Sequence, residues 1–287
     1  MTILVTGAKG MIGSQLVEEL CNTGYDVIGV GRSGNEIKKD KYCFIKTDLA
    51  DKEKLRNIVE ENNVDRIIHL AALAHPEGEK DLSWERYKAV NVDCAKNVFE
   101  VAGDRPVLFI STVDVYGFYN GKEPVNGNSP IRPVSNYGKS KAMAEEECKK
   151  LKYYSIFRLS PVYTSSITRD IQKRYYLKYP MIAYQVGKGT SFEILNVKKA
   201  VDVMVHWCEE TPQNDIHIIK DAEMMWTPDY IQSERKKGNA IIKLWFPRWA
   251  VYCGYVVLKG IIGENKKTYL LNKAVYPLRS CSDKSDY

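Results

Sequence analysis

The tightest constraint on the fold is the turn between residues 6 and 13. An apolar, β-rich run, Ile3–Thr6, passes directly into Thr6-Gly7-Ala8-Lys9-Gly10-Met11-Ile12-Gly13, and a helical pattern over Met11–Asn22, ending near Gly24, starts inside that turn. Three glycines at GxxGxxG spacing between a strand and a helix serve one purpose well. Glycine permits the tight backbone path, a missing side chain lets a pyrophosphate approach, and the helix N-terminus supplies free N–H groups and a positive dipole end.

The same alternation continues. Strands are predicted at Asp26–Val30, Tyr42–Lys46, Arg66–Leu70, Val107–Ser111 and Ser155–Leu159; helices at Lys52–Glu61 with Asp51 as N-cap, Trp84–Ala102 and Asn136–Leu151. Repeated βαβ units imply an α/β fold, a Rossmann-type doubly wound parallel sheet. After about Ser160 the rhythm breaks and Pro180, Pro212, Pro228 and Pro247 punctuate shorter elements. We therefore divide the chain into a dinucleotide-binding domain over 1–160 and a smaller, mainly substrate-binding C-terminal lobe over 161–287, which is free to return elements to the sheet.

Composition excludes several classes. Hydrophobic residues at 44% and charged residues at 27% are those of a globular chain, not a disordered or collagenous one. The formal charge of +6 would suit nucleic acid, an anionic membrane or a phosphorylated small molecule. No nucleic-acid recognition motif accompanies it, and the basic run from Lys149 to Lys188, with Asp170 its only acid, is accounted for by an anionic cofactor and substrate. Seven scattered cysteines without a CxxC pair, and four histidines without ligand spacing, read as reduced structural thiols and no metal site. The N-terminus enters the first strand with no charged leader, so a cytoplasmic location is expected. The apolar run between Arg248 and Lys259 is about half the ~20 residues that span a bilayer. Packing in the smaller lobe is expected of it, with an interfacial role for Trp245, Phe246, Trp249, Tyr252 and Tyr255 left open.

Two further patterns carry chemistry. The second strand ends Ile28-Gly29-Val30-Gly31-Arg32-Ser33, without the acid that usually binds a ribose 2′-hydroxyl. Gly31 makes room, Arg32 offers a bidentate cation for a 2′-phosphate and Lys9 a second contact, so NADP(H) is expected over NAD(H), although Arg32 could also stack on adenine or face solvent. In Tyr137-Gly138-Lys139-Ser140-Lys141, Tyr137 and Lys141 share a helix face, and an ammonium beside a phenol would lower its pKa. His75 could face a substrate, and Arg169 with Lys173 and Arg174 could clamp a diphosphate.

TGAKGMIG, Asp48-Leu49, His69-Leu70-Ala71-Ala72, Asn91, STVDVYG and YGKSK, in this order, resemble the extended short-chain dehydrogenase/reductase family, and within it the nucleotide-sugar epimerase/dehydratase group. The resemblance covers the first two-thirds of the chain. It implies Tyr137 as acid/base, Lys141 on the nicotinamide ribose, Thr112 on the reacting oxygen and Asn91 supporting the active-site helix. It implies cofactor contacts from Gly7, Lys9, Gly10, Met11, Ile12, Gly13, Asp48, Leu49, Ala71, Ala72 and Pro161. A nucleotide-sugar substrate and a homodimer paired through the Trp84–Ala102 and Asn136–Leu151 helices follow from the same resemblance.

Departures from the pattern narrow the reaction. The Asp-Glu pair of dehydratases is here Val113-Asp114, which disfavours dehydration and leaves Asp114 as a substrate contact. A VYG-P turn is replaced by Val162-Tyr163-Thr164-Ser165. The expected function is oxidoreduction at C4 of a nucleotide-activated hexose, with 4-keto reduction ahead of 4-epimerisation because of Gly31 and Arg32. The alternative from another class is a non-catalytic NADP(H)-binding regulatory protein.

Overall fold

The computed structural model describes residues 1–74, 83–165 and 167–281. Its first seven strands are β1 (Thr2–Thr6), β2 (Asp26–Gly31), β3 (Ile37–Lys38), β4 (Tyr42–Lys46), β5 (Arg66–His69), β6 (Val107–Thr112) and β7 (Tyr154–Leu159). Between them lie α1 (Met11–Asn22), α2 (Lys52–Glu61), α3 (Trp84–Lys88), α4 (Cys94–Ala102) and α5 (Asn136–Cys148). The later strands are β8 (Val162–Tyr163), β9 (Tyr176–Lys178), β10 (Ile182–Val186), β11 (Ser191–Phe192), β12 (Leu195–Asn196), β13 (Asp215–Ile219), β14 (Met225–Trp226) and β15 (Ile242–Phe246). The later helices are α6 (Arg169–Gln172), α7 (Val197–Trp207), α8 (Thr227–Lys236), α9 (Arg248–Ile262) and α10 (Lys266–Val275).

The main sheet runs β3-β4-β2-β1-β5-β6-β7-β13. All its pairs are parallel except β3–β4. Continuous apolar strands such as Ile3-Leu4-Val5 and Val107-Leu108-Phe109-Ile110 are buried on both faces, as parallel strands covered by helices must be. One core holds α1 and α7 against the sheet, the other α2, α4 and α5. The doubly wound fold expected from the sequence is therefore present. Strand order reverses between β1 and β5, so the crevice for a ligand opens at their C-terminal ends.

Two elements differ from expectation. The single helix over Trp84–Ala102 is interrupted by a π turn at Ala89–Asp93. That turn holds buried Asn91, whose amide accepts from Leu73 N–H at 2.7 Å and donates to Leu73 C=O and Ser140 Oγ at 2.9 Å each. One extra residue in the helix lets the side chain serve the β5 loop and α5 together. The C-terminal apolar segment, expected to pack into the smaller lobe, mostly does not. In α9 only Tyr255 is buried, meeting Asn272 of α10, while the lobe's own core gathers around Ile171, Tyr175, Ala183 and Ile231 and includes no residue of α9.

Behind the crevice lies a buried ion pair. Arg158 of β7 donates to Glu145 of α5 at 2.7 Å through Nη2 and at 3.1 Å through Nε, and to Tyr116 Oη and Gly127 C=O through Nη1. Ser111 Oγ of β6 donates to the same carboxylate at 2.5 Å. Removing one member strands the other charge in the core. Glu145→Ala is expected to lower unfolding free energy by about 3–5 kcal/mol, read as a fall in the denaturant midpoint at unchanged slope.

Candidate active site

The glycine turn is a fitted cradle. Gly7 has φ +70, and a Cβ there would lie 2.8 Å from Ala71 N; one on Gly13 would lie 2.2 Å from Gly7 C=O. Only hydrogen fits where the turn, the β5 loop and α1 converge. Gly10 is the N-cap of α1 and no side chain caps that end, so its first N–H groups point into the crevice beside Met11 and Ile12. These residues suit the pyrophosphate of a dinucleotide.

Thr6 ties the turn to the next strand. Its hydroxyl accepts from Ala71 N–H at 3.1 Å and lies 2.7 Å from His69 Nδ1, to which it can donate. His69 is buried against Phe99 and Phe109, and burial holds its pKa down at about 3. It is a neutral structural histidine. On the adenosine side, Arg32, Lys46, Asp48, Asp51 and Lys54 line an open cavity of about 410 Å³. Arg32 faces solvent there, Asp48 accepts from Ala50 N–H at 3.0 Å, and the carbonyl of buried Leu49 is held by Asn97. Lys9 is exposed, and its side chain lies beside Gly34, two residues after Arg32, with its ammonium 4.5 Å from the Phe44 ring centre. Ala72 is exposed, and the Pro161 carbonyl accepts from Leu195 N–H at 3.0 Å, joining β8 to β12.

Thr112 ends β6, and its hydroxyl accepts from Asp114 N–H at 3.2 Å. Ser135 caps α5, on whose first two turns stand half-buried Tyr137 and fully buried Lys141. A Cβ on Gly138 would lie 2.8 Å from Asp114 C=O, so α5 packs directly on the loop that follows Thr112. The sheet thus brings Thr112, Tyr137 and Lys141 to one edge of the crevice.

The electrostatics depart from the simple expectation of a lowered phenol pKa. Tyr137 is pushed up, first by burial, then by the charges of Asp114 and Asp170. Lys141 lies 4.0 Å from the Phe109 ring centre, and burial lowers its pKa to about 7 against the opposing pull of Glu145. In the protein alone the phenol keeps its proton.

Asp114, expected as a substrate contact, is committed elsewhere. Ser135 Oγ donates to one carboxylate oxygen, and Tyr269 Oη and Lys273 Nζ of α10 donate to the other at 2.9 and 2.8 Å. Lys273 is the largest influence holding its pKa low despite burial. The sequence reading missed Ser135, Tyr269 and Lys273; the Ser-x-x-Gly cap was visible, but nothing local announces partners 155 residues away. Of the residues expected to clamp a diphosphate, Arg169 is exposed on the four-residue α6, Lys173 donates to Asp170 at 2.6 Å and Arg174 lies over Phe192. His75 lies outside the described residues. Among the described residues no His, Cys, Asp and Glu group could hold a metal.

Lys141 gives a signed pH prediction. Its folded pKa near 7 lies below the unfolded value of 10.5, so the unfolded chain binds the extra proton between them and stability rises with pH across that window. Below pH 7 the full burial penalty is present. Lys141→Met should therefore stabilise the dinucleotide-free protein at pH 6 by about 2–4 kcal/mol, less whatever the Phe109 contact returns, with the gain shrinking between pH 7 and 10.5. Thermal melts across that range test it; a destabilised variant at pH 6 would contradict it.

Comparison with known proteins identifies the family and the fold. The chain is 29% identical over 159 residues to UDP-glucose 4-epimerase of Bacillus subtilis, covering 51% of this chain and 46% of that protein. It therefore spans about half the length of such curated relatives. In fold it is similar to the UDP-glucuronic acid 4-epimerase of Bacillus cereus in complex with NAD, with a TM-score of 0.69 at 23% identity over 86% of this chain and 87% of that one. A second likeness is the UDP-Glc/GlcNAc 4-epimerase of Campylobacter jejuni, with a TM-score of 0.72 at 18% identity and 86% coverage of both. Residues 3–206 match the NAD dependent epimerase/dehydratase family, and the chain belongs to it.

Proposed function

We propose that the protein interconverts hydroxyl and ketone at C4 of a nucleotide-activated hexose. The observation that carries this reading is the placement of Thr112, Tyr137 and Lys141 on one edge of a crevice whose other edge is the glycine cradle. A nicotinamide dinucleotide, when bound, would supply the hydride to that carbon or take it up from there. Gly7, Gly10, Met11, Ile12 and Gly13 would hold its pyrophosphate, Asp48, Leu49 and Ala71 the adenosine side, and Lys141 the nicotinamide ribose.

The chain's own residues handle the proton. Tyr137 gives its proton to the sugar oxygen or takes it back, Thr112 orients that oxygen, and Lys141 fixes the ribose so that the distance is short. Of the two reactions available, 4-keto reduction is favoured by the side chains. Gly31 with exposed Arg32 suits the 2′-phosphate of an exchangeable NADPH. The second reading, 4-epimerisation with retained NAD, is favoured by what the relatives are named for. A purely regulatory dinucleotide binder has no use for an acid/base pair, and Thr112, Tyr137 and Lys141 are all present.

Two measurements test the proposal. Tyr137→Phe should lower turnover on UDP-hexoses and their 4-ketones by about 10²–10⁴-fold while dinucleotide affinity changes less than about threefold; wild-type turnover would remove Tyr137 from the reaction. Titration of the stripped protein should show NADPH binding about 10–100-fold more tightly than NADH, a difference erased by Arg32→Ala. Equal affinities, or co-purifying NAD, would transfer the reading to the 4-epimerase.

A further inference from the structure

The chain's charge is unevenly spread in a way the reaction does not require. Residues 235–280 hold ten Lys and Arg and one acid, Glu264, whereas the rest of the chain holds 32 basic and 35 acidic residues. The C-terminal segment is therefore a second basic run, beside the one from Lys149 to Lys188. That same segment carries the exposed apolar surface. Of the twenty large hydrophobic residues exposed among those described, twelve lie between Ile241 and Leu270, with Trp249 at 71% and Ile261 at 75% exposure.

Their arrangement is regular. Trp249, Tyr252, Val256 and then Lys259 follow helical spacing on α9, and Val257 and Ile261 run beside them. Trp245 stands on β15, every residue of which is exposed. Lys243 on β15 and Lys266 and Lys267 at the start of α10 are exposed as well. Lys236 at the end of α8 is also exposed, and Lys237 beside it pairs with Glu234. A helix of fifteen residues is about 22 Å long, short of the ~30 Å hydrocarbon thickness, and no described helix is long and apolar enough to cross a membrane.

We propose that α9 and β15 form a docking surface for an anionic lipid bilayer, on which α9 lies in the plane of the headgroups. Aromatic rings and aliphatic side chains enter the acyl boundary, and the lysines meet lipid phosphates. A second copy of the chain fits this face poorly, since a two-fold interface would set the same cationic segment against itself. The bilayer supplies both the apolar depth and the opposite charge. The surface also joins the crevice through α10, whose Tyr269 and Lys273 hold Asp114 beside Thr112. The inference is independent of the reaction proposed above.

Co-sedimentation of the full chain with vesicles tests it. Wild type should bind vesicles of equimolar phosphatidylcholine and phosphatidylglycerol, bind phosphatidylcholine alone much more weakly, and show a blue shift of tryptophan emission on binding. The combined substitutions Trp249→Ser, Val257→Ser and Ile261→Ser should lower partitioning at least about tenfold, and Lys243→Ala about fivefold. All four side chains are largely solvent-exposed, so melting temperatures should be unchanged and loss of binding is not loss of fold. Absence of wild-type binding to the anionic vesicles, or wild-type binding by the triple variant, overturns the proposal. A concentration-dependent dimer that the triple substitution dissolves overturns it in favour of a second copy.

Discussion

The buried ion pair between Arg158 and Glu145 is the constraint around which the site is assembled. Two charges removed from water must be satisfied completely, and here the carboxylate takes the guanidinium and Ser111 while the guanidinium also takes Tyr116 and the Gly127 carbonyl. Those partners sit on β6, β7, α5 and the loop after β6. Satisfying the pair fixes α5 against the end of β6, and that contact places Tyr137 relative to Thr112. Asn91 braces the same helix from the other side through Ser140, so the register of α5 is held at two points.

Asp114 performs the equivalent task for the C-terminal half. Its carboxylate joins the cap of α5 to α10, and the desolvation it suffers is offset by Lys273 and two hydroxyls. One consequence is chemical: after burial, its negative charge is the next influence raising the Tyr137 pKa. Another is architectural, because the loop that carries Thr112 cannot shift without disturbing the helix that follows the exposed α9.

Local signals in the chain account for what could be read from it. The glycine turn, Asp51 as a cap with its side chain on Lys54 N–H, and apolar runs such as Ile3–Thr6 are consequences of neighbouring residues, and the strands and helices of the first 160 residues follow from them. The π turn at Asn91 was hidden, since its cause is a hydrogen-bond partner 49 residues away on α5. The direction of the Tyr137 shift was hidden for a similar reason: the i and i+4 spacing shows Lys141, but not that Lys141 turns towards Phe109 while two acids from other elements face the phenol. The exposure of α9 was misjudged because periodicity identifies an apolar face without saying what covers it.

The most direct test of the account follows an isotope. The protein would be loaded with oxidised dinucleotide and mixed with nucleotide-activated hexoses deuterated at C4, and the dinucleotide then released and weighed. Deuterium on the nicotinamide ring, lost in Tyr137→Phe, is the result the account predicts. A dinucleotide that binds the cradle yet gains no deuterium from C4 of any such sugar, with none of those sugars epimerised at C4, would contradict it.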